Sequence, residues 1–117
     1  MNIQKILIIG LGSIGRRHLN IAEKKFPDAQ IKVFRSSKDQ ADKNDNCEFY
    51  KLEDAINFDP QIVVIANPAN FHISLATHFI KKNRYIFIEK PISNDLEEAK
   101  IFIEACSKEK TIVQIGY

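Results

Sequence analysis

Much of this 117-residue chain is defined by what it does not contain. No apolar run approaches the roughly 20 residues that a membrane-spanning helix needs, so a bilayer-embedded protein is not expected. The N-terminus has a short strand-like run cut by glycines and no signal-peptide cleavage pattern, which makes the cytoplasm the expected location. Two cysteines, Cys47 and Cys106, form neither a disulfide framework nor metal-ligand spacing, and they read as inert thiols of a reducing compartment with no metal site. Net charge is only +2, so no polyanion partner such as nucleic acid is implied. Repeats, low-complexity tracts and inter-domain linkers are absent. With 44% hydrophobic and 27% charged residues, the chain has the composition of one ordinary globular domain over residues 1–117.

The informative stretch is Lys5 to Gly15, K-I-L-I-I-G-L-G-S-I-G, which holds three of the four glycines. An apolar β-type run leads into Gly10-x-Gly12-x-x-Gly15, and a helical pattern follows. In a dinucleotide-binding strand–turn–helix each glycine has its own task. The first makes the tight turn, the second lets backbone approach the pyrophosphate, and the third allows close helix packing. The phosphates would sit at the helix N-terminus, where unpaired N–H groups and the helix dipole favour negative charge. Gly10, Gly12, Ser13, Ile14 and Gly15 are therefore the candidate pyrophosphate residues.

Short apolar strands alternate with helical segments along the whole chain, which predicts a parallel α/β sheet. The strands are Ile6–Ile9, Ile31–Phe34, a short one at Glu48–Tyr50, Ile62–Ile65, Tyr85–Ile88 and Ile112–Ile115. A first helix spans Ile14–Lys25 with Ile14, His18, Ile21 and Ala22 on its inward stripe, ended by Pro27 and Asp28. Ser36–Asn46 is a polar loop, expected to be mobile, and a helical turn or two falls around Leu52–Ile56. Asn70 reads as the N-cap of a helix whose apolar face includes Phe71, Leu75, Phe79 and Ile80, and Asn83 occupies a left-handed C-cap position. Asn94 with Glu97 fits a capping box opening a helix to about Glu109. Six strands in this arrangement predict a doubly wound (Rossmann) sheet of order 3-2-1-4-5-6 with helices on both faces. Its ligand crevice would lie at the carboxyl ends of strands one and four. Gly10–Gly15, Asn67–Asn70 and Glu89–Pro91 all fall on that edge.

The residue after strand two usually reads the adenosine ribose, and an NAD site places an acid there, about 20 residues past the glycines. Here the strand is followed by Arg35-Ser36-Ser37-Lys38. Arg35 can stack on adenine and fork onto a phosphate, and Ser36 can donate to it, so the pattern favours NADP over NAD. The alternative is a solvated basic turn with Asp39 reaching the ribose. Arg16 and Arg17 oppose the helix dipole and either hold a phosphate or point outward. His18 reads as a packed, hydrogen-bonded core histidine and His78 as a helix-surface residue. Lys90 points into the crevice, where desolvation beside a cationic nicotinamide would lower its pKa and suit it to proton exchange with a substrate hydroxyl. Glu89 would orient Lys90 or contact a ribose, and Pro91 fixes the exit of the chain. From spacing alone, a plain strand-end salt bridge is the readier account of Lys90.

Gly10-Leu11-Gly12-Ser13-Ile14-Gly15 with His18, Ala66-Asn67-Pro68 with His72, and Glu89-Lys90-Pro91 together resemble the Gfo/Idh/MocA oxidoreductases, the glucose–fructose oxidoreductase and inositol dehydrogenase family. The resemblance covers essentially the whole chain. It implies an NAD(P)-dependent oxidoreductase domain acting on a hydroxyl of a sugar, cyclitol or related compound, with Lys90 as the catalytic lysine. It also implies that Glu89 and Pro91 line the cofactor, that Asn67, Pro68 and Asn70 form the loop beside it, and that His72 is the histidine of the following helix. Gly116-Tyr117 resembles the point at which the family chain leaves its Rossmann domain. Family members continue into a second α/β domain that supplies most substrate contacts, an aspartate–histidine pair and the oligomer interface. None of it appears in these 117 residues, so the sequence resembles the isolated cofactor-binding half, expected to bind dinucleotide without turnover and to self-associate through the exposed rim. The alternatives are a non-catalytic dinucleotide-binding module that reports redox state, and an S-adenosylmethionine-dependent methyltransferase, which the third glycine and Glu89-Lys90-Pro91 disfavour. A CoA-binding domain is weaker still, since nothing marks a pantetheine tunnel.

Overall fold

The computed structural model describes residues 3–10, 12–35, 48–67 and 71–116. The element order is β1 (Lys5–Ile9), α1 (Ser13–Lys25), β2 (Gln30–Phe34), β3 (Glu48–Phe49), α2 (Leu52–Asn57), β4 (Ile62–Ile65), α3 (His72–Ala76) with a 3₁₀ turn at Thr77–Phe79, β5 (Tyr85–Ile88), α4 (Leu96–Lys108) and β6 (Ile112–Ile115). All pairings are parallel and the spatial order is β3-β2-β1-β4-β5-β6. Five strands of four or five residues form the body of the sheet, and the two-residue β3 extends one edge.

The strands are apolar on both sides because both faces are covered, as parallel sheets require. One face buries Leu7, Ile9, Val63, Ile65, Ile86 and Ile88 against Ala55 of α2, Ile73 and Ala76 of α3, and Phe102 and Cys106 of α4. The opposite face buries Ile6, Ile8 and Val33 against Ala22, Leu19 and Phe26, contributed by α1 and the residue after it. Truncating any of these isoleucines or leucines to alanine costs about 2–5 kcal/mol in such a core.

Two helix faces differ from the sequence reading. On α1 the inward residues are Gly15, Leu19 and Ala22, with His18 half-buried, whereas Ile14 and Ile21 are exposed. Positions 15, 18, 19 and 22 form the i, i+3, i+4, i+7 stripe, and Ile14 is turned to the ligand edge instead. On α3 the buried residues are His72, Ile73 and Ala76, followed by Phe79, while Phe71 is exposed. The predicted N-cap Asn70 and the Ser36–Asn46 loop lie outside the described residues.

Helix α4 is capped one residue later than predicted. Asp95, not Asn94, accepts from the N–H groups of Glu97 (2.9 Å) and Glu98 (3.3 Å). The Asp95 carboxylate adds favourable charge at the positive helix end, which the Asn94 amide lacks. Asn83 has the left-handed conformation expected of it, with φ 68°, and Asp59 (54°) and Lys110 (59°) share it. Among the described residues no helix is long and apolar enough to cross a membrane.

Candidate functional site

The sheet order reverses at β1, whose two neighbours are β2 and β4. Ile9, the last residue of β1, is level with Phe34 of β2 and Ile65 of β4, so the three carboxyl ends stop at one height. The turn after β1 is seated between them. The Gly10 N–H donates to the Phe34 carbonyl (3.1 Å), and the Ala66 N–H donates to the Ile9 carbonyl (2.8 Å).

Gly10 has φ +92°, and a Cβ there would meet the Asn67 nitrogen at 2.8 Å. Only glycine fits both the dihedral and the space. Gly15 is needed for a different contact, since its Cβ would lie 2.1 Å from the Gly10 carbonyl oxygen. The third glycine thus seats α1 on the turn itself. A Cβ at Gly12, by contrast, would meet nothing within 4 Å, because this glycine faces open space. Helix α1 begins with no side-chain cap and no acidic residue in its first turn. Its leading N–H groups are therefore available to an anion.

Above these ends is a cleft of about 820 Å³. Its polar wall comes from Gly10, Gly12, Ser13, Arg35, Asn67 and Ser74, and its apolar wall from Ile9, Ile14, Phe34, Leu52, Ala66, Phe71 and Leu75. The Asn67 side-chain oxygen is buried without a hydrogen-bond donor among the described residues. A buried acceptor left unpaired is costly, and a donor on a bound ligand would satisfy it. Free helical N–H groups, an open glycine, an orphaned acceptor and apolar walls all fit a dinucleotide. Sequence reasoning missed Phe34, Leu52, Phe71, Ser74 and Leu75 as wall residues.

Of the residues expected at the site, Gly10, Gly12, Ser13, Ile14, Arg35 and Asn67 line the cleft. Gly15 supports it from beneath. Ser36, Pro68 and Asn70 lie outside the described residues. His72 is not on the wall. It is 2% exposed and bonded through Nδ1 to the Pro91 carbonyl (3.0 Å) and through Nε2 to the Asn67 carbonyl.

The turn after β5 also departs from expectation. The Glu89 carboxylate is bonded to His18 Nε2 rather than oriented toward Lys90, and the His18 ring packs edge-on against Phe87, with centroids 5.3 Å apart. Successive side chains of an extended segment point to opposite sides, so Glu89 follows Phe87 toward α1. Lys90 is exposed and bonds to no other described residue, so this domain's described residues do not desolvate it. Pro91 follows through a cis peptide bond and is exposed. Gly116 is buried, its Cβ position blocked by Phe87 at 2.6 Å. Arg16, Arg17 and His78 are exposed.

Displaced titrations lie away from the cleft. At the amino ends of β4 and β5, Arg84 is 7% exposed and donates to the carbonyls of Pro60 (2.7 Å) and Phe79 (3.1 Å) and to the Asp59 carboxylate. A hydrogen bond from Lys81 (2.7 Å) holds Asp59 below the usual carboxylate range, helped by the charges of Lys81, Arg84 and Lys5 against opposing burial. Burial lowers Arg84 and raises the Cys106 thiol to about 11.

Comparison with known proteins agrees with this geometry. The chain is 24% identical to inositol 2-dehydrogenase/D-chiro-inositol 3-dehydrogenase of Lacticaseibacillus casei, over 98% of this chain and 36% of that protein. It is 29% identical to the enzyme of the same name from Halalkalibacterium halodurans, over 94% and 34%. It superposes on scyllo-inositol dehydrogenase from Lactobacillus casei, a structure with bound NAD(H) and scyllo-inositol, with TM-score 0.81 and 25% identity over 99% of this chain and 36% of that one. The chain spans about a third of the length of the curated relatives it matches. Residues 4–117 match the family model for the GFO_IDH_MocA oxidoreductases, NAD-binding Rossmann fold, and the chain belongs to that family.

Proposed function

We propose that this chain binds a nicotinamide dinucleotide in the cleft at the reversal of the sheet, as the cofactor-binding part of an oxidoreductase acting on a hydroxyl of a sugar, cyclitol or similar compound. The observation that carries the reading is the joint geometry of Gly10, Gly12 and Asn67. A turn that only glycine can make presents an uncapped helix start beside an open glycine and a buried, unpaired acceptor.

Each residue has a role in this reading. The N–H groups of Ser13 and Ile14, at the start of α1, hold the pyrophosphate. Phe34, Leu52 and Leu75 supply an apolar bed for a flat ring, and the Asn67 oxygen accepts from a ligand donor. The nicotinamide, when bound, accepts or returns a hydride. Lys90 holds or moves the proton of the substrate hydroxyl at its Nζ. Its exposure on this domain means that water must be excluded from it by substrate and by further protein surface.

Arg35 lines the cleft directly after β2, where the dinucleotide-binding fold reads the adenosine ribose. Its guanidinium suits a 2′-phosphate, so NADP is proposed over NAD, together with Ser36. The NAD(H) bound by the scyllo-inositol dehydrogenase shows what that protein takes. A titration of Arg35→Ala tests the assignment: NADPH affinity falls at least tenfold while NADH affinity changes little. Equal losses for both would remove the 2′-phosphate role.

The exposure of Lys90 also supports a second reading, a dinucleotide-binding module without its own turnover. Turnover of a sugar or cyclitol with NAD(P) would exclude that reading.

A further inference from the structure

Helix α3 does two things at once. Ser74 and Leu75 face the cleft, while His72 on the other side is fully buried between two loops. Its Nδ1 meets the carbonyl of Pro91, beside Lys90, and its Nε2 meets the carbonyl of Asn67, whose own side chain lines the cleft. Carbonyl oxygens only accept, so the ring holds a carbonyl by N–H donation and lies in contact with both. A single side chain thus fastens the loop after β4 to the turn after β5. The nitrogen of Asn67 in turn lies 2.8 Å from where a Cβ on Gly10 would stand, so the glycine turn, the β4 loop and the lysine turn form one connected unit.

We propose that His72 is a positioning residue that ties the dinucleotide loop at Asn67 to the lysine turn at Lys90–Pro91, through the contacts of its buried ring with the carbonyls of Asn67 and Pro91. The inference rests on the dinucleotide reading for its effect on binding, and on the ring geometry alone for the clasp itself. Without the clasp the two carbonyls lose their shared partner, and the spacing between Asn67 and Lys90 is no longer held. His72 needs no contact with the ligand for this.

The first test is the ring ¹⁵N–¹H spectrum of the wild-type chain at neutral pH. A slowly exchanging ring N–H signal on His72 is expected. A ring N–H that exchanges with water as freely as that of an exposed histidine overturns the clasp. The second test compares His72→Phe, which keeps a ring and removes both nitrogens, with His72→Gln, whose amide carries N–H donors. NADH and NADPH affinity should fall at least tenfold in His72→Phe and recover by half or more of that loss, on a logarithmic scale, in His72→Gln. The backbone amide signals of Asn67 and Lys90 should shift together in His72→Phe while that of Arg84 stays in place. Wild-type affinity in a folded His72→Phe overturns the positioning role. If His72→Phe does not fold, the ring spectrum and His72→Gln decide: near-wild-type binding by His72→Gln supports the role, and a loss of tenfold or more overturns it. Wild-type protein that binds neither dinucleotide overturns the functional reading, and the ring spectrum still judges the clasp.

Discussion

Gly15 packs so closely on Gly10 that a single methyl group would stand 2.1 Å from the Gly10 carbonyl oxygen. The obstacle is backbone in a turn that is itself pinned to β2 and β4, so it cannot swing aside. Gly15→Ala is therefore expected to destabilise the fold by about 1–3 kcal/mol, the usual cost of overpacking. Denaturant unfolding followed by circular dichroism checks it. Unchanged stability would mean that α1 is not held against the turn.

Gly12→Val separates binding from folding. Nothing lies within 4 Å of the added Cβ, so stability should change by less than about 0.5 kcal/mol, as for surface substitutions. Dinucleotide binding should be lost, because the valine occupies the approach of the pyrophosphate. The pair of glycine variants therefore gives opposite signatures, one in unfolding and one in titration.

Arg84 is the structural counterpart at the far end of the strands. Arg84→Met keeps the bulk of the stem but leaves the carbonyls of Pro60 and Phe79 without their donor. A loss of about 2–4 kcal/mol is expected, with dinucleotide affinity per folded molecule unchanged. Its partner Asp59 is about half exposed, and the pair is screened accordingly. Because the folded protein lowers the Asp59 pKa from 3.8, its contribution is fully present above that value and is lost as pH falls through the lower folded one. The stability gap between wild type and Asp59→Asn should be constant from about pH 5 upward and close below about pH 4.

Cys106 is buried, with its thiol raised from 9.0 to about 11. Native protein at pH 8 should leave Cys106 unmodified by iodoacetamide over a time in which denatured protein is fully labelled, as peptide mass analysis would show. Because the folded state keeps this proton longer, stability should fall as pH rises from about 9 toward 11. Rapid native labelling of Cys106 would contradict its burial on the inner face of α4.

The strands were legible because Ile6–Ile9, Ile62–Ile65 and Tyr85–Ile88 are apolar runs that only a sheet covered on both faces buries. The glycine turn was legible because Gly10 is restricted by local dihedral and close approach. Asn83 was legible for the same local reason. What escaped was tertiary. His18 and Glu89 are 71 positions apart, and no local pattern says that the carboxylate turns to α1 instead of to Lys90. His72 reads equally as surface or core on a helix, and only the meeting of two loops makes it a clasp. Ile14 looked like core because it is apolar at the right spacing, but the cleft also uses apolar walls. Asn94 and Asp95 are both good caps, and the choice turned on a single residue of register.

The most direct measurement is a calorimetric titration of NADPH and NADH into the wild-type chain and into Gly12→Val. The wild type should bind both, NADPH more tightly, and the valine variant should be folded and bind neither. A wild type that binds neither dinucleotide, or a valine variant that binds as the wild type does, would contradict the assignment of the cleft.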